Sequence, residues 1–524
     1  MANCVLVRGA PRLQIRYPQN AGLVAEFEKA PLQKRRGRSP FIKMDLRLAW
    51  LAVIAILFSL PFIKGGDTST LWAAGAAAIA CLLAVASVDY SSTSFISIVA
   101  LTHLIFYPLA AWGNLLLPKP AVRWDLWVDT GLAMWGCTVG VLSLALGARL
   151  GNFTNNRKMS FEGRIPDGPT PLIFNISLAS LFIPGVIIEK VLGVFYHGAV
   201  DPHYNLGASW ALNLIGILLS IASCGIFLQT YRYTRTHSVK DLQWAALLCL
   251  AAIILFIPSG IRGAAMGFLP LLVLAFLKWE TNSGRKFIVL AGALIILFPV
   301  AAGMNAYRGE TGLQQLNYQQ KMGVAMKAIE QQGEGGSHGR ALSAVVDRFS
   351  DYVATGRIIA YTPRIIDYRG TEGMEDWWQI FVPGFLKIIP HRIDLNEGAE
   401  ICMRYGVTQW GGGGSSPDMI IGDLFSRWGW AGVFLGMMMI GFILRQLDLR
   451  IFNRWTTFTI VFYVMFGRWV FGIVSDSFLG IFVMLARDLA AMAILSYFIA
   501  WIARIYFRSG KVNRKAHYLP RRIA

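Results

Sequence analysis

Arg262 lies in Pro258-Ser259-Gly260-Ile261-Arg262-Gly263, and Arg308 in Asn305-Ala306-Tyr307-Arg308-Gly309-Glu310. In both, the glycine after the arginine leaves the backbone open to a bulky polar group. A guanidinium stays charged at any relevant pH and presents two parallel donors to phosphate or pyrophosphate. Arg348, Arg357 and Arg364 follow further along the chain. The competing reading of each is a side chain snorkelling to a membrane surface, or a surface ion pair.

Proton-transfer candidates are fewer. His391 follows the apolar run Phe381-Val382-Pro383-Gly384-Phe385-Leu386-Lys387-Ile388-Ile389-Pro390, with Arg392 next to it and His338 further upstream. An imidazole near neutral pKa can take a proton from a sugar hydroxyl, although a lone loop histidine more often has no such role. Arg468 and the pair Arg487-Asp488 fall inside apolar stretches, about 12–15 Å from their outer ends at 1.5 Å per residue. Such charges face a bundle interior and pair, so an Arg468–Asp488 ion pair is expected. His103 reads as a hydrogen-bonded core residue. No Walker A loop, dinucleotide fingerprint or HExxH is present, and no metal site or cofactor is expected.

The elements that position these groups belong to a membrane protein. Of 524 residues, 55% are hydrophobic and 15% charged, with mean hydropathy +0.50. Soluble domains carry roughly 25% charged residues. Disordered chains, small disulfide scaffolds and ordinary cytosolic enzymes are thereby excluded. Twelve apolar stretches approach the ~20 residues a membrane helix needs. They are 48–63, 71–88, 94–117, 128–148, 171–192, 208–229, 242–258, 263–277, 287–304, 429–444, 457–475 and 478–503. With the N-terminus inside, the short inner segments hold 30 Lys and Arg. The short outer ones hold 5: Lys64, Lys119, Arg123, Lys190 and Arg262. This asymmetry predicts both termini inside, and it accounts for most of the +19 charge without nucleic acid. Six cysteines match no metal motif, and no disulfide is expected.

The expected organisation is all-α and polytopic. Residues 1–47 form a basic cytoplasmic segment, of which 1–43 read as dispensable or as a mis-assigned start; a basic arm on anionic lipid is the alternative. Helices one to nine cover 48–304, one large outer loop 305–428, helices ten to twelve 429–503, and a basic tail 504–524. The loop holds 12 basic and 14 acidic residues, with helices expected at 317–330 and 342–359. With no nucleotide site inside and the polar investment outside, an activated substrate has to arrive on a lipid.

Four segments resemble the oligosaccharide repeat-unit polymerases, the Wzy-type O-antigen polymerases. They are Ser259-Gly260-Ile261-Arg262-Gly263, the Arg308-Gly309 exit into the loop, Phe381-Val382-Pro383 through Pro390, and Ile421-Gly422-Asp423-Leu424-Phe425-Ser426-Arg427-Trp428-Gly429-Trp430-Ala431-Gly432. The last is similar to the family's Gly-Glu-x-Tyr-x-x-Phe-Gly-x-x-Gly re-entry helix, with Asp423 in place of Glu; Gly384 departs from the family's usual Arg. The resemblance covers about residues 240–450. It implies a metal-independent glycosyltransferase of the bacterial inner membrane that joins units carried on undecaprenyl pyrophosphate at the periplasmic face. Arg262, Arg308 and His391 would be catalytic, and Arg348, Arg357, Arg364 and Arg392 would hold pyrophosphate or glycan. A flippase and a chain-length regulator would be partners beside membrane lipid. An O-antigen ligase and a transporter or flippase of lipid-linked oligosaccharide are the alternatives.

Overall fold

The structure is a computed structural model. It describes residues 68–88, 94–111, 127–153, 170–190, 209–257, 268–280, 284–286, 288–293, 316, 318–334, 352–375, 404–405, 419–451, 456–490 and 492–501. Of two compact units, Met1–Trp50 lies outside these residues, and all the described elements belong to the other, Leu51–Ala524.

Among the described residues all regular structure is helical. The helices are α1 (Thr68–Ala86), α2 (Phe95–Leu104, continued by a π-turn Ile105–Leu109), α3 (Trp127–Phe153), α4 (Thr170–Lys190), α5 (Ser209–Thr236), α6 (Val239–Phe256), α7 (Phe268–Trp279), α8 (Tyr318–Glu334), α9 (Tyr352–Tyr361), α10 (Ile420–Ile451), α11 (Thr457–Val470), α12 (Phe478–Val483, continued by a π-turn Met484–Asp488) and α13 (Met492–Trp501). The described parts of the second to eighth and of the tenth to twelfth apolar stretches thus fall mainly on helices. Of the ninth, 288–293 is helical and the remainder lies outside the described residues, as does the first. The helix expected at 317–330 is α8. Of the one expected at 342–359, the described part is α9.

Among the described residues, four helices are long and apolar enough to cross a membrane: Thr130–Phe153, Val239–Phe256, Ile420–Arg450 and Phe458–Ser475. Large apolar side chains stand exposed on the bundle's flanks, among them Ile79, Leu83, Leu146, Phe182, Leu250, Leu435 and Phe498. Water would penalise that surface and hydrocarbon would not, so the protein is membrane-embedded.

Helices α3 and α10 form the spine, and glycines set their spacing. A Cβ on Gly147 would collide with the Met438 carbonyl oxygen, and one on Gly441 with the Leu144 carbonyl oxygen. Such backbone approach is the membrane substitute for a hydrophobic driving force between helices. α3 runs parallel to the greater part of α10: Gly140 lies near Met437, Gly147 near Met438 and Gly151 beside Arg445. At one end Arg445 Nε donates to Asn152 Oδ1 at 2.7 Å, and Gln446 Nε2 to the Gly151 carbonyl at 2.8 Å. There too the Asp448 carboxylate accepts the Phe95 N–H at 3.2–3.3 Å, capping the start of α2. The opposite end is where residues 352–375 gather, and we call it the loop end.

The continuous run of α10 is two helices. Trp428 (φ −139°, ψ 16°) and Gly429 (φ 62°, ψ −150°) leave the helical region, and Gly429 takes a conformation almost confined to glycine. The short arm, 420–427, folds back along the long arm, 430–451. Leu424 packs on Gly436, and its carbonyl oxygen lies where a Cβ of Gly432 would be. The long arm is about 32 Å long, enough to span hydrocarbon alone. The short arm is buried throughout, between α9, α3 and the long arm.

Candidate functional site

Within the stretch read as one outer loop, two helices return among the others at the loop end. α9 is apolar on most sides, and Tyr352 to Gly356, Ile358 and Ile359 are buried. Glycines make its seat: Ile358 and Thr355 lie over Gly422, and Ile359 over Gly136. From the neighbouring π-turn, Tyr107 Oη shares a 3.1 Å hydrogen bond with Thr355 Oγ1. One turn below, His103 is fully buried. It donates from Nδ1 to the Val99 carbonyl at 2.8 Å and stacks on Tyr107 at 5.8 Å, as a core histidine.

A buried ionic cluster ties the loop to the short arm. Asp423, fully buried, accepts Arg427 Nε at 3.0 Å and Arg369 Nη1 at 3.4 Å through Oδ1. Its Oδ2 accepts the Phe478 N–H at 2.7 Å, at the start of α12, where the helix dipole favours an anion. Arg427, 1% exposed, also donates to the Glu372 carbonyl at 2.7 Å. Backbone N–H groups of Arg369 and Gly370 cap the last carbonyls of the short arm, those of Ser426 (2.8 Å) and Arg427 (3.1 Å). Charges taken out of water demand such partners. At the rim, Glu372 meets Arg404 at 2.9 Å and Arg369 at 3.7 Å. The hydrogen bond from Arg404 holds the Glu372 carboxyl below its usual range despite partial burial. Beneath it Tyr405 Oη pairs with Thr362 Oγ1 at 2.9 Å, and burial pushes the phenol up.

Aromatic rings surround the apex. Trp428 stands edge-on to Phe478 at 5.3 Å, Phe425 edge-on to Trp430 at 5.0 Å, and Tyr368 touches Gly429. Asp476 occupies the turn between α11 and α12. Its carboxyl accepts the Ser477 N–H at 2.9 Å and a side-chain bond from Trp469, and burial pushes its pKa up.

Of the candidates named from sequence, Arg357, Arg364 and Arg468 have described side chains. Arg357 is half-buried on α9, 5.8 Å from the centre of the Tyr361 ring, within cation–π range. Arg364 is exposed just past α9. Arg468 is half-buried in the last turn of α11, because the helix stops at Val470 and gives way to a 3-10 turn, Ile473–Ser475. It lies toward the loop end, seven residues before the close of the apolar run Phe458–Ser475, and has no partner among the described residues. Arg487 and Asp488 close the π-turn of α12; their side chains, and the expected pair with Arg468, lie outside the described residues. So do Arg262, Arg308, His338, Arg348, His391 and Arg392. Among the described residues no three His, Cys, Asp or Glu side chains gather as metal ligands.

Sequence reasoning did not single out Asp423, Arg427, Arg369, Glu372 or Arg404 as a site. One local signal exists: Asp423 and Arg427 stand four apart in an otherwise apolar run. Arg369 is 54 residues from Asp423, and nothing in local spacing joins them. No family model, curated protein or solved structure matches the chain.

Proposed function

We propose that the chain is a polysaccharide polymerase of the bacterial inner membrane, with both termini cytoplasmic and the loop end periplasmic. It transfers a glycan chain from undecaprenyl pyrophosphate to a lipid-linked repeat unit. One observation carries this reading: two re-entrant helices at one end, held by a buried ionic cluster, bring the half-buried guanidinium of Arg357 to the same end as Arg468. Positive charge in a partly dry setting suits a leaving group whose charge grows in the transition state. The opposite end carries Arg445 and Arg450 on α10 and Arg232 on α5, in keeping with an inner face.

In this scheme the acceptor hydroxyl attacks the anomeric carbon and the glycosidic bond to pyrophosphate breaks. The rigid dock places the guanidinium before reaction, so little reorganisation is needed. Arg262, Arg308, Arg348, Arg364, His391 and Arg392 belong to the same proposal, with a flippase and chain-length regulator as partners. The test is the glycan ladder of a deletion strain. Long chains should vanish while single repeat units are still exported, and Arg262→Ala and Arg308→Ala should reproduce this at normal membrane levels. A ligase defect would instead leave long chains unattached to their lipid core. Cysteine labelling of intact cells should succeed at Gln331 and fail at Asn156. Unchanged chain length in the deletion strain overturns the proposal.

A transporter of lipid-linked oligosaccharide is the second reading, favoured by the short arm of α10, since transporters build sites from broken helices. A transport defect strands repeat units on the inner face, and the same deletion strain separates the two.

A further inference from the structure

The proposed transfer needs a group that removes the proton from the acceptor hydroxyl. We propose that Asp476 takes that proton, an assignment that rests on the polymerase reading.

Asp476 lies at the loop end, in the turn from Gly472 to Ser477 that joins α11 to α12. The seat for its carboxyl is built. The Ser477 N–H donates to Oδ1 at 2.9 Å, and Trp469 donates from its side chain, whose only donor is the indole N–H. Gly480 leaves room above it, because a Cβ there would collide with Oδ1. Both donors are neutral, and among the described residues no cation pairs with the carboxyl. The charge that bears on it is another acid, Asp423, which Arg369 and Arg427 already claim. Burial and that neighbour make this carboxylate more basic than an ordinary one, as proton abstraction requires.

The two acids differ in what remains open to a substrate. Asp423 is fully buried and saturated by two guanidinia and an amide, so it can only hold structure. Asp476 is half-buried and keeps access. Arg468, eight residues earlier, is also half-buried and without an acid partner among the described residues. A guanidinium and a carboxylate thus flank one turn without pairing with each other, and in this scheme they meet the two parts of a substrate: pyrophosphate on Arg468 and hydroxyl on Asp476.

The acceptor hydroxyl gives its proton to the Asp476 carboxylate, and its oxygen bonds to the anomeric carbon of the growing chain. The electron pair of the broken anomeric C–O bond leaves with undecaprenyl pyrophosphate. Water then takes the proton from Asp476.

The test is chain growth by the full-length protein in lipid nanodiscs with synthetic undecaprenyl-pyrophosphate repeat units. Asp476→Asn should slow chain growth about 10²–10⁴-fold, the usual span for a lost general base, with melting temperature unchanged. Asp476→Ser keeps an acceptor for both N–H groups and should be as slow. Wild-type chain growth by either variant overturns the assignment and leaves the polymerase reading standing. Failure of the wild-type protein to extend chains or release undecaprenyl pyrophosphate overturns both.

Discussion

The Leu424 side chain rests on the backbone of Gly436, with Cδ2 only 2.6 Å from where a Cβ would stand. Twelve residues of straight helix would separate the two by about 18 Å. The contact makes α10 a hairpin with its apex at Trp428 and Gly429, and it brings Asp423 against α12.

Gly429→Ala is therefore costly. The new Cβ would lie 2.8 Å from Tyr368 Oη, on a backbone at φ 62°. A loss of about 1–3 kcal/mol is expected. Thermal unfolding in detergent measures it, and an unchanged midpoint would argue against a fixed hairpin.

Arg427→Ala leaves the buried Asp423 with only the longer Arg369 contact and the Phe478 N–H. Removing one partner of a buried pair costs about 3–5 kcal/mol. Arg364→Ala, at an exposed position, should stay within about 0.5 kcal/mol of wild type. Comparing the two midpoints in one detergent tests whether the buried cluster, rather than surface charge, holds the loop.

Acid should loosen the rim of the dock. The Glu372 carboxyl is held below its ordinary value of 4.5, chiefly by Arg404, so the folded state favours the ionised form. Its contribution is complete above about pH 4.5 and disappears as pH falls through the lower folded-state value. Wild type should thus be more stable than Glu372→Gln near neutrality, with the gap closing below that range. A gap that widens in acid would reverse the sign and refute the pairing.

Arg357 separates binding from scaffolding. If its guanidinium meets pyrophosphate in the transition state, Arg357→Ala should lower chain growth about 100-fold, or ~3 kcal/mol. Arg357→Lys should recover little, since it loses the planar fork. Full recovery by lysine would indicate a simple charge.

The helices were legible because apolar runs bounded by charge have few alternatives in a bilayer, and α1 to α7 follow those runs closely. The hairpin was not. Its short arm is as helix-forming as its long arm, and only Gly432 and Gly436, one turn apart past Trp428-Gly429, mark where two backbones meet. The ionic cluster escaped for a different reason. A search for solvent-facing arginines passes over Arg369 and Arg427, whose partners are supplied by folding. Arg468 was visible in the sequence, but the break of α11 after Val470, which places Asp476 in a turn beside it, was not.

The capping of Phe95 by Asp448 has a consequence for biogenesis. The two residues are 353 positions apart, so at about 5–20 residues per second the ribosome needs roughly 20–70 s to supply the cap after making α2. Over that interval the glycine face of α3 also lacks its covering helix. The first half of the chain thus enters the bilayer as an unfinished surface, and the insertion machinery or lipid must shelter it until α10 is released. Chains that stop short of residue 448 should be targets for membrane quality control, however intact their early helices are.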